Sequence, residues 1–405
     1  MTPRAGAARL ASPSPAARRP AAIAAGLAVG GCLTWNVSNV GAVAETLGEA
    51  YGVSLAVVGL LTTALFVSHL AAQLPAGKAA DRLGARTVAL AAIAAGVAGN
   101  LVLLSAPEVG VAAVGRAIVG VGSGAAFVAG LDLVRAGGGG ALLQGAYGGS
   151  TMAGGGLALM VLPRLTEATS WRAPYWTAAG LALLAALPTL AAGRLPRVGH
   201  ARAGVLRDPR LVPLGVVQAC TFGLSVVAGN WVVTLLHRQG ASSTLAGVAG
   251  GTILFAGIVT RPGGGLLLLR RRARVRTAVA GSLVAGAVAA GALAAGVSLA
   301  LACAGAVVLG LAAGLPFAAV FDATIRLRPD APAAAIGLVN GFGVLTILVG
   351  TPLAGLAFSL PGDGRLGFAA IAALWGSALL ALRRTPIGAD ARTPQRAASA
   401  AAQPR

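Results

Sequence analysis

From residue 21 to residue 383 the chain alternates apolar runs with short polar breaks. A membrane-spanning α-helix needs about 20 consecutive apolar residues, and the runs reach that length repeatedly. They predict twelve spans, at 21–43, 53–75, 87–105, 109–134, 141–163, 173–193, 211–236, 243–267, 277–297, 299–325, 333–358 and 364–382. Only Ser298 suggests a turn inside 277–325, so the ninth and tenth spans are divided there. The pattern is that of an all-α membrane protein with twelve transmembrane helices.

Composition agrees. The 405 residues are 57% apolar and 10% charged, where a soluble domain carries about 25% charged residues. The net charge of +20 raises the question of a nucleic-acid partner. Its distribution argues against one, because the arginines sit in breaks and tails rather than on one face of a folded domain. Arg164, Arg172, Arg238 and Arg365 fall on one side of the predicted membrane. Arg116 and Arg261 lie within spans, and the remaining 25 of the 31 basic residues share the side of both termini. Glu45, Glu49, Glu108 and Glu167 fall opposite. By the positive-inside rule both termini are cytoplasmic. Arginine almost replaces lysine (Lys78 stands alone), which suggests a GC-rich bacterial genome and hence the bacterial cytoplasmic membrane. The Ala/Pro/Ser/Arg segment 1–20 and the tail 384–405 are expected to be disordered. A signal peptide is not expected at the N-terminus, because many further spans follow. Cys32, Cys220 and Cys303 are scattered in apolar runs, with neither metal spacing nor a disulfide framework. No metal or cofactor is expected.

The segment 194–210 is the one sizeable interior loop, and it separates 21–193 from 211–383, two blocks of six spans each. A weak repeat relates them. Gly120, Gly124, Phe127 and Asp132 recur 190 residues later as Gly310, Gly314, Phe317 and Asp322. Duplicated bundles with a site at their interface are a secondary-transporter architecture.

The break between the second and third spans reads Gly77-Lys-Ala-Ala-Asp81-Arg82-Leu-Gly84-Ala-Arg86. Glycines there allow a tight turn and a close helix approach, and the charges sit where water meets lipid. This resembles the cytoplasmic loop motif of the major facilitator superfamily, whose members are twelve-helix secondary transporters of two pseudo-symmetric six-helix bundles. Arg116, Gly120, Gly122 and Gly124 resemble the family's fourth-helix motif. The resemblance implies that Asp132 joins Asp81, Arg82 and Arg86 in a charge relay steadying the outward-open state. The plain alternative is a local pair of Asp132 with Arg135. The second-half loop keeps glycines and positive charge, from Arg261 to Gly265 and Arg270 to Arg276, but has no aspartate. The fifth span carries Gln144, Tyr147, Gly148, Gly149 and Gly154 without the Gly-Pro pair of the family's proton antiporters.

Polar residues at membrane depth face a bundle interior more often than lipid. Trp35, Asn36, Asn39, Arg116, Gln144, Tyr147, Gln218, Thr221, Asn230, Trp231, Arg261 and Asn340 are therefore substrate-cavity candidates; interhelical hydrogen bonding is the alternative for each. Arg116 could instead snorkel to the outer surface. Arg261 precedes Pro262, where a helix bends. His69 is a candidate proton site, although burial as a packing side chain is the commoner fate. No carboxylate lies mid-span, and two intramembrane arginines favour an anion. Asn230-Trp231, the Arg261-Pro262-Gly-Gly stretch and Asp330 to Gly337 resemble the nitrate/nitrite and cyanate porter branch, which implies Arg261 as an anion ligand. The second span lacks that branch's arginine. No nucleophile, acid pair or metal set points to an enzyme, and no folded cytoplasmic domain points to a sensor. The expectation is a monomeric secondary transporter working by alternating access on a small organic or inorganic anion, with a proton as the candidate coupling ion. The alternative is proton-driven efflux of drug-like compounds.

Overall fold

The computed structural model describes residues 15–193, 195 and 204–388. Most of the N-terminal tail, much of the linker 194–210 and most of the C-terminal tail lie outside the described residues. Among the described residues there are twelve long helices. They are α1 (Pro15–Ser38), α2 (Leu55–Leu83), α3 (Ala85–Ser105), α4 (Val109–Ala136), α5 (Ala141–Ala168), α6 (Ala173–Ala191), α7 (Val212–Arg238 in three pieces), α8 (Ser243–Arg270), α9 (Arg272–Ala295), α10 (Leu299–Leu327), α11 (Pro332–Leu356) and α12 (Arg365–Arg383). Among the described residues eleven segments are long and apolar enough to cross a membrane. The helix outside that set is α5, diluted by glycine, Gln144, Ser150 and Thr151. Among the described residues there is no β-strand.

Local chemistry explains the departures from the expected spans. Residues 15–20, expected as tail, continue α1. The first span ends at Ser38 rather than 43, and a short helix, Ala44–Tyr51, intervenes before Gly52 at φ 64°. Ser298 does mark the ninth-to-tenth turn, where its hydroxyl caps α10 by accepting from Leu301 N–H. Pro316, which has no N–H, interrupts α10 between Leu299–Gly314 and Phe317–Leu327. A π-turn, Ala219–Gly223, interrupts α7. No break occurs in α8 at Pro262.

Within the first bundle α2 and α3 pack on α4, and α1 packs on α4, α5 and α6. In the second, α8 and α9 pack on α10, and α9 packs on α12. The 190-residue repeat is a packing repeat. A Cβ on Gly120 or Gly124 would strike the α2 backbone at Leu65 or His69. One on Gly310 would strike the α8 backbone at Ile253, and one on Gly314 would strike Thr260 of α8. The bundles meet along two seams that the repeat exchanges, α2 with α11 and α5 with α8. Below, "inner" means the end bearing the termini.

Candidate functional site

The inner end of the α2–α11 seam is closed by Asp81. Its two carboxylate oxygens accept from the N–H groups of Ala333 and Ala334, each at 3.0 Å. These belong to the first turn of α11, whose N–H groups have no partner within the helix and carry the positive end of its dipole. Asp81 is 1% exposed. Glycine makes the approach possible: a Cβ at Gly77 would lie 2.5 Å from Ala333 O, and one at Gly337 2.5 Å from Gln73 O. Gln73 is 1% exposed, and neither end of its amide has a hydrogen-bond partner in the protein.

The expected relay is not joined by hydrogen bonds in this arrangement, although Asp132 and Arg135 lie within electrostatic reach of Asp81. Asp132 pairs with Arg135 at 2.6 Å, the local alternative. Arg86 donates to the carbonyls of Thr189 and Leu190 at the end of α6, and Arg82 is exposed. Gly84, at φ 93°, turns α2 into α3. The repeat extends here: Arg276, 190 residues after Arg86, donates to the carbonyls of Leu382, Arg383 and Thr385 at the end of α12. Asp322, the counterpart of Asp132, pairs with Arg326 and Arg272. Nearby, Arg210 holds the Asp208 carboxyl below its ordinary range by donating to it. Arg328 approaches Asp208 at 3.7 Å and pairs with Asp330 at 2.9 Å, just before α11.

The α5–α8 seam centres on Arg261. Gly145 lies against the backbone of Arg261 and Pro262, and Gly265 against that of Ala141. Arg261 is nine residues from the inner end of α8, about 13 Å deep at about 1.5 Å per residue. It is 4% exposed. Nη1 donates to Gly148 O at 3.0 Å and Thr151 Oγ1 at 3.2 Å, and Nε has no protein partner. The guanidinium lies 4.5 Å from the Phe317 ring and 5.4 Å from that of Phe222, which the π-turn of α7 carries. From Phe317 an aromatic chain runs through Phe321 and Phe127 to Tyr147, joining both bundles. Among the described residues no carboxylate pairs with Arg261. Gln144, on the same seam, is buried with Oε1 unpartnered. Tyr147 donates to Phe127 O at 2.6 Å.

The other candidates hold single bundles together. Arg116 does not snorkel. It is 0% exposed and donates to Asn36 O, Asn39 Oδ1 and Leu61 O. Asn39 also donates to Pro174 O, and His69 Nδ1 bonds Ser123. In the second bundle Gln218 donates to Asn340 at 3.2 Å, and Thr221 bonds its own helix at Val217 O. Asn230 bonds Thr351, and Trp231 bonds Thr351 O while stacking on Phe358. Sequence reasoning missed Gln73, Thr151 and the phenylalanines around Arg261. Phe127 and Phe317 were visible only as members of the repeat.

The sequence profile of the Major Facilitator Superfamily matches residues 25–350. No curated protein matches the chain. Among solved structures, the fold is similar to that of the human organic anion transporter MFSD10 (TETRAN). The TM-score is 0.68 and the identity 17%, over 91% of this chain and 100% of that one. Helix order, hydropathy and the family match agree: the chain belongs to the Major Facilitator Superfamily and is a multi-pass membrane transport protein, not an enzyme.

Proposed function

We propose that the protein moves a small anion across the bacterial cytoplasmic membrane by alternating access, with both termini cytoplasmic and Arg261 as the anion's ligand. One observation carries this reading: a buried guanidinium on the seam between bundles, with no carboxylate beside it. A charge at membrane depth is costly unless it is paired. Two neutral oxygens and two aromatic rings only partly replace a counter-ion. Gln144 on the same seam adds hydrogen-bonding capacity. The likeness to a protein described as an organic anion transporter points the same way. The resemblance to the nitrate/nitrite and cyanate porters supports an anion without fixing which one. Asp81 acts as the inner latch: its bonds to α11 exist only while the inner end is shut.

The test is thermal stability of the detergent-purified protein with benzoate, nitrate or tetraphenylphosphonium. A ligand at a hundred times its Kd adds about 2.7 kcal/mol. Stabilisation by an anion that Arg261→Gln abolishes is the expected result. Stabilisation by the cation alone would overturn the reading in favour of efflux of lipophilic compounds.

A further inference from the structure

Arg116 poses a separate problem. It sits seven residues into α4 from Val109, about 10 Å from the outer end, and wholly inside the first bundle. Its full charge is met by three neutral oxygens: Asn36 O at 2.9 Å, Asn39 Oδ1 at 3.0 Å and Leu61 O at 3.3 Å. Nη2 is buried and donates to no protein atom. Glu45 and Glu49, on the short helix that carries Tyr51, are exposed and do not pair with it.

The surroundings are rich in spare donors. Trp35, next to Asn36 in the chain and 7% exposed, has an Nε1–H without a partner. Tyr51 and Tyr175, within electrostatic reach of the guanidinium, share a single hydrogen bond of 2.7 Å. Two hydroxyls joined by one bond leave one O–H hydrogen still to donate. These residues belong to one packed cluster with Leu61. One unpartnered acceptor belongs to the neighbourhood, Asn100 Oδ1, whose amide already donates to Asn36 and Gly96. A neutral oxygen satisfies a donor but does not cancel a charge.

We propose that Arg116 Nη2, Trp35 Nε1 and the Tyr51–Tyr175 hydroxyl pair form a second anion site, for a small inorganic monoanion such as chloride. Buried donors with an uncompensated cation and no carboxylate select an acceptor bearing one negative charge. The guanidinium is wholly buried among α1, α2 and α4, so a monoatomic ion is the smallest anion that could meet these donors, where an organic anion would have to part those helices. The ion joins those helices and α6 electrostatically, as a resident co-ligand rather than the transported solute. This inference does not depend on Arg261.

The test compares thermal stability in sodium chloride, sodium bromide and sodium gluconate at equal ionic strength, for the wild type, Arg116→Gln, Arg116→Lys, Trp35→Phe and Arg261→Gln. Saturable stabilisation by halide is expected in the wild type and in Arg261→Gln. It should be lost in Arg116→Gln and retained in Arg116→Lys. Trp35→Phe, which removes one donor and little volume, should raise the halide Kd about five- to tenfold. Should Arg116→Gln not fold, Trp35→Phe decides alone. A halide response absent from the wild type, unchanged in Trp35→Phe, or lost only with Arg261→Gln would overturn the proposal.

Discussion

Replacing Asp81 by Asn removes the charge at the inner end of the α2–α11 seam while keeping its shape. The carboxylate now accepts two bonds, from Ala333 and Ala334 N–H, both at 3.0 Å. Asparagine offers one oxygen, and its NH2 turns toward the other N–H. At an exposed helix start this exchange is nearly neutral, because water takes the spare donor. Here the site is 1% exposed, and water has little access. A hydrogen bond to a charged group contributes about 1.5–3 kcal/mol, and the charge at the helix end about 0.3–1 kcal/mol more. The inner-closed arrangement should therefore weaken by about 2–4 kcal/mol, roughly thirty- to seven-hundredfold at about 1.4 kcal/mol per decade. Spin labels at Lys78 and Arg274, exposed residues at the inner ends of opposite bundles, read this directly once the three native cysteines are replaced. The distance distribution should shift to longer values in Asp81→Asn, with transport reduced at equal expression. An unchanged distribution would refute the assignment of Asp81 as the element holding this end shut.

Gly145→Val should block closure of the α5–α8 seam, since its Cβ would meet the backbone of Arg261 and Pro262; the same distance measurement should show separated inner ends. Gln73→Leu should act oppositely to Asp81→Asn, because it replaces a buried, unpartnered amide with an apolar group of similar size. A narrowed distance distribution and slower transport are the expected readouts. Asp208 is held below its ordinary range by Arg210. A depressed carboxylate contributes stability present above the unfolded pKa of about 3.9 and lost as pH falls through the folded value. The wild type should therefore lose more thermal stability than Asp208→Asn between about pH 5 and pH 3, and parallel curves would contradict this.

The twelve spans were legible because hydrocarbon thickness fixes a length that sequence displays directly. Even α5, the least apolar helix, stood out between its flanking breaks. The side-chain partners were less legible. In a soluble helix an apolar stripe marks the buried face. Here lipid-facing Leu187 and Val259 are as apolar as buried Leu61 and Val279, so periodicity does not say which face meets a neighbour. Arg86 was noticed for its motif, but nothing in the sequence announces carbonyls 103 and 104 residues away. For Arg116 the sequence offers a cavity residue or a snorkel, whereas Asn39 Oδ1 and the backbone oxygens of Asn36 and Leu61 hold it, and backbone has no sequence signature. Gln73, four residues before Gly77 of the motif, carries no role in the sequence, because an amide becomes conspicuous only when its surroundings fail to satisfy it.

The two seams are built from different materials. The α5–α8 seam joins helices through small residues from Gly265 against Ala141 up to Gly156 against Phe255, fifteen residues of α5 or about 22 Å. Apart from the bonds of Arg261 to Gly148 O and Thr151 Oγ1, such a stripe can slide and pivot without breaking a polar bond. The α2–α11 seam ends in a charge set against two amide dipoles, and its repeat-related position is Arg271, which cannot take that part. Mechanically the molecule is lopsided: one seam is a bearing and the other a catch. An opening stroke that releases the catch while the bearing stays engaged would swing the bundles about an axis along α5 and α8, bringing Arg261 close to the axis. A solute held there travels little, while the access path on either side changes most.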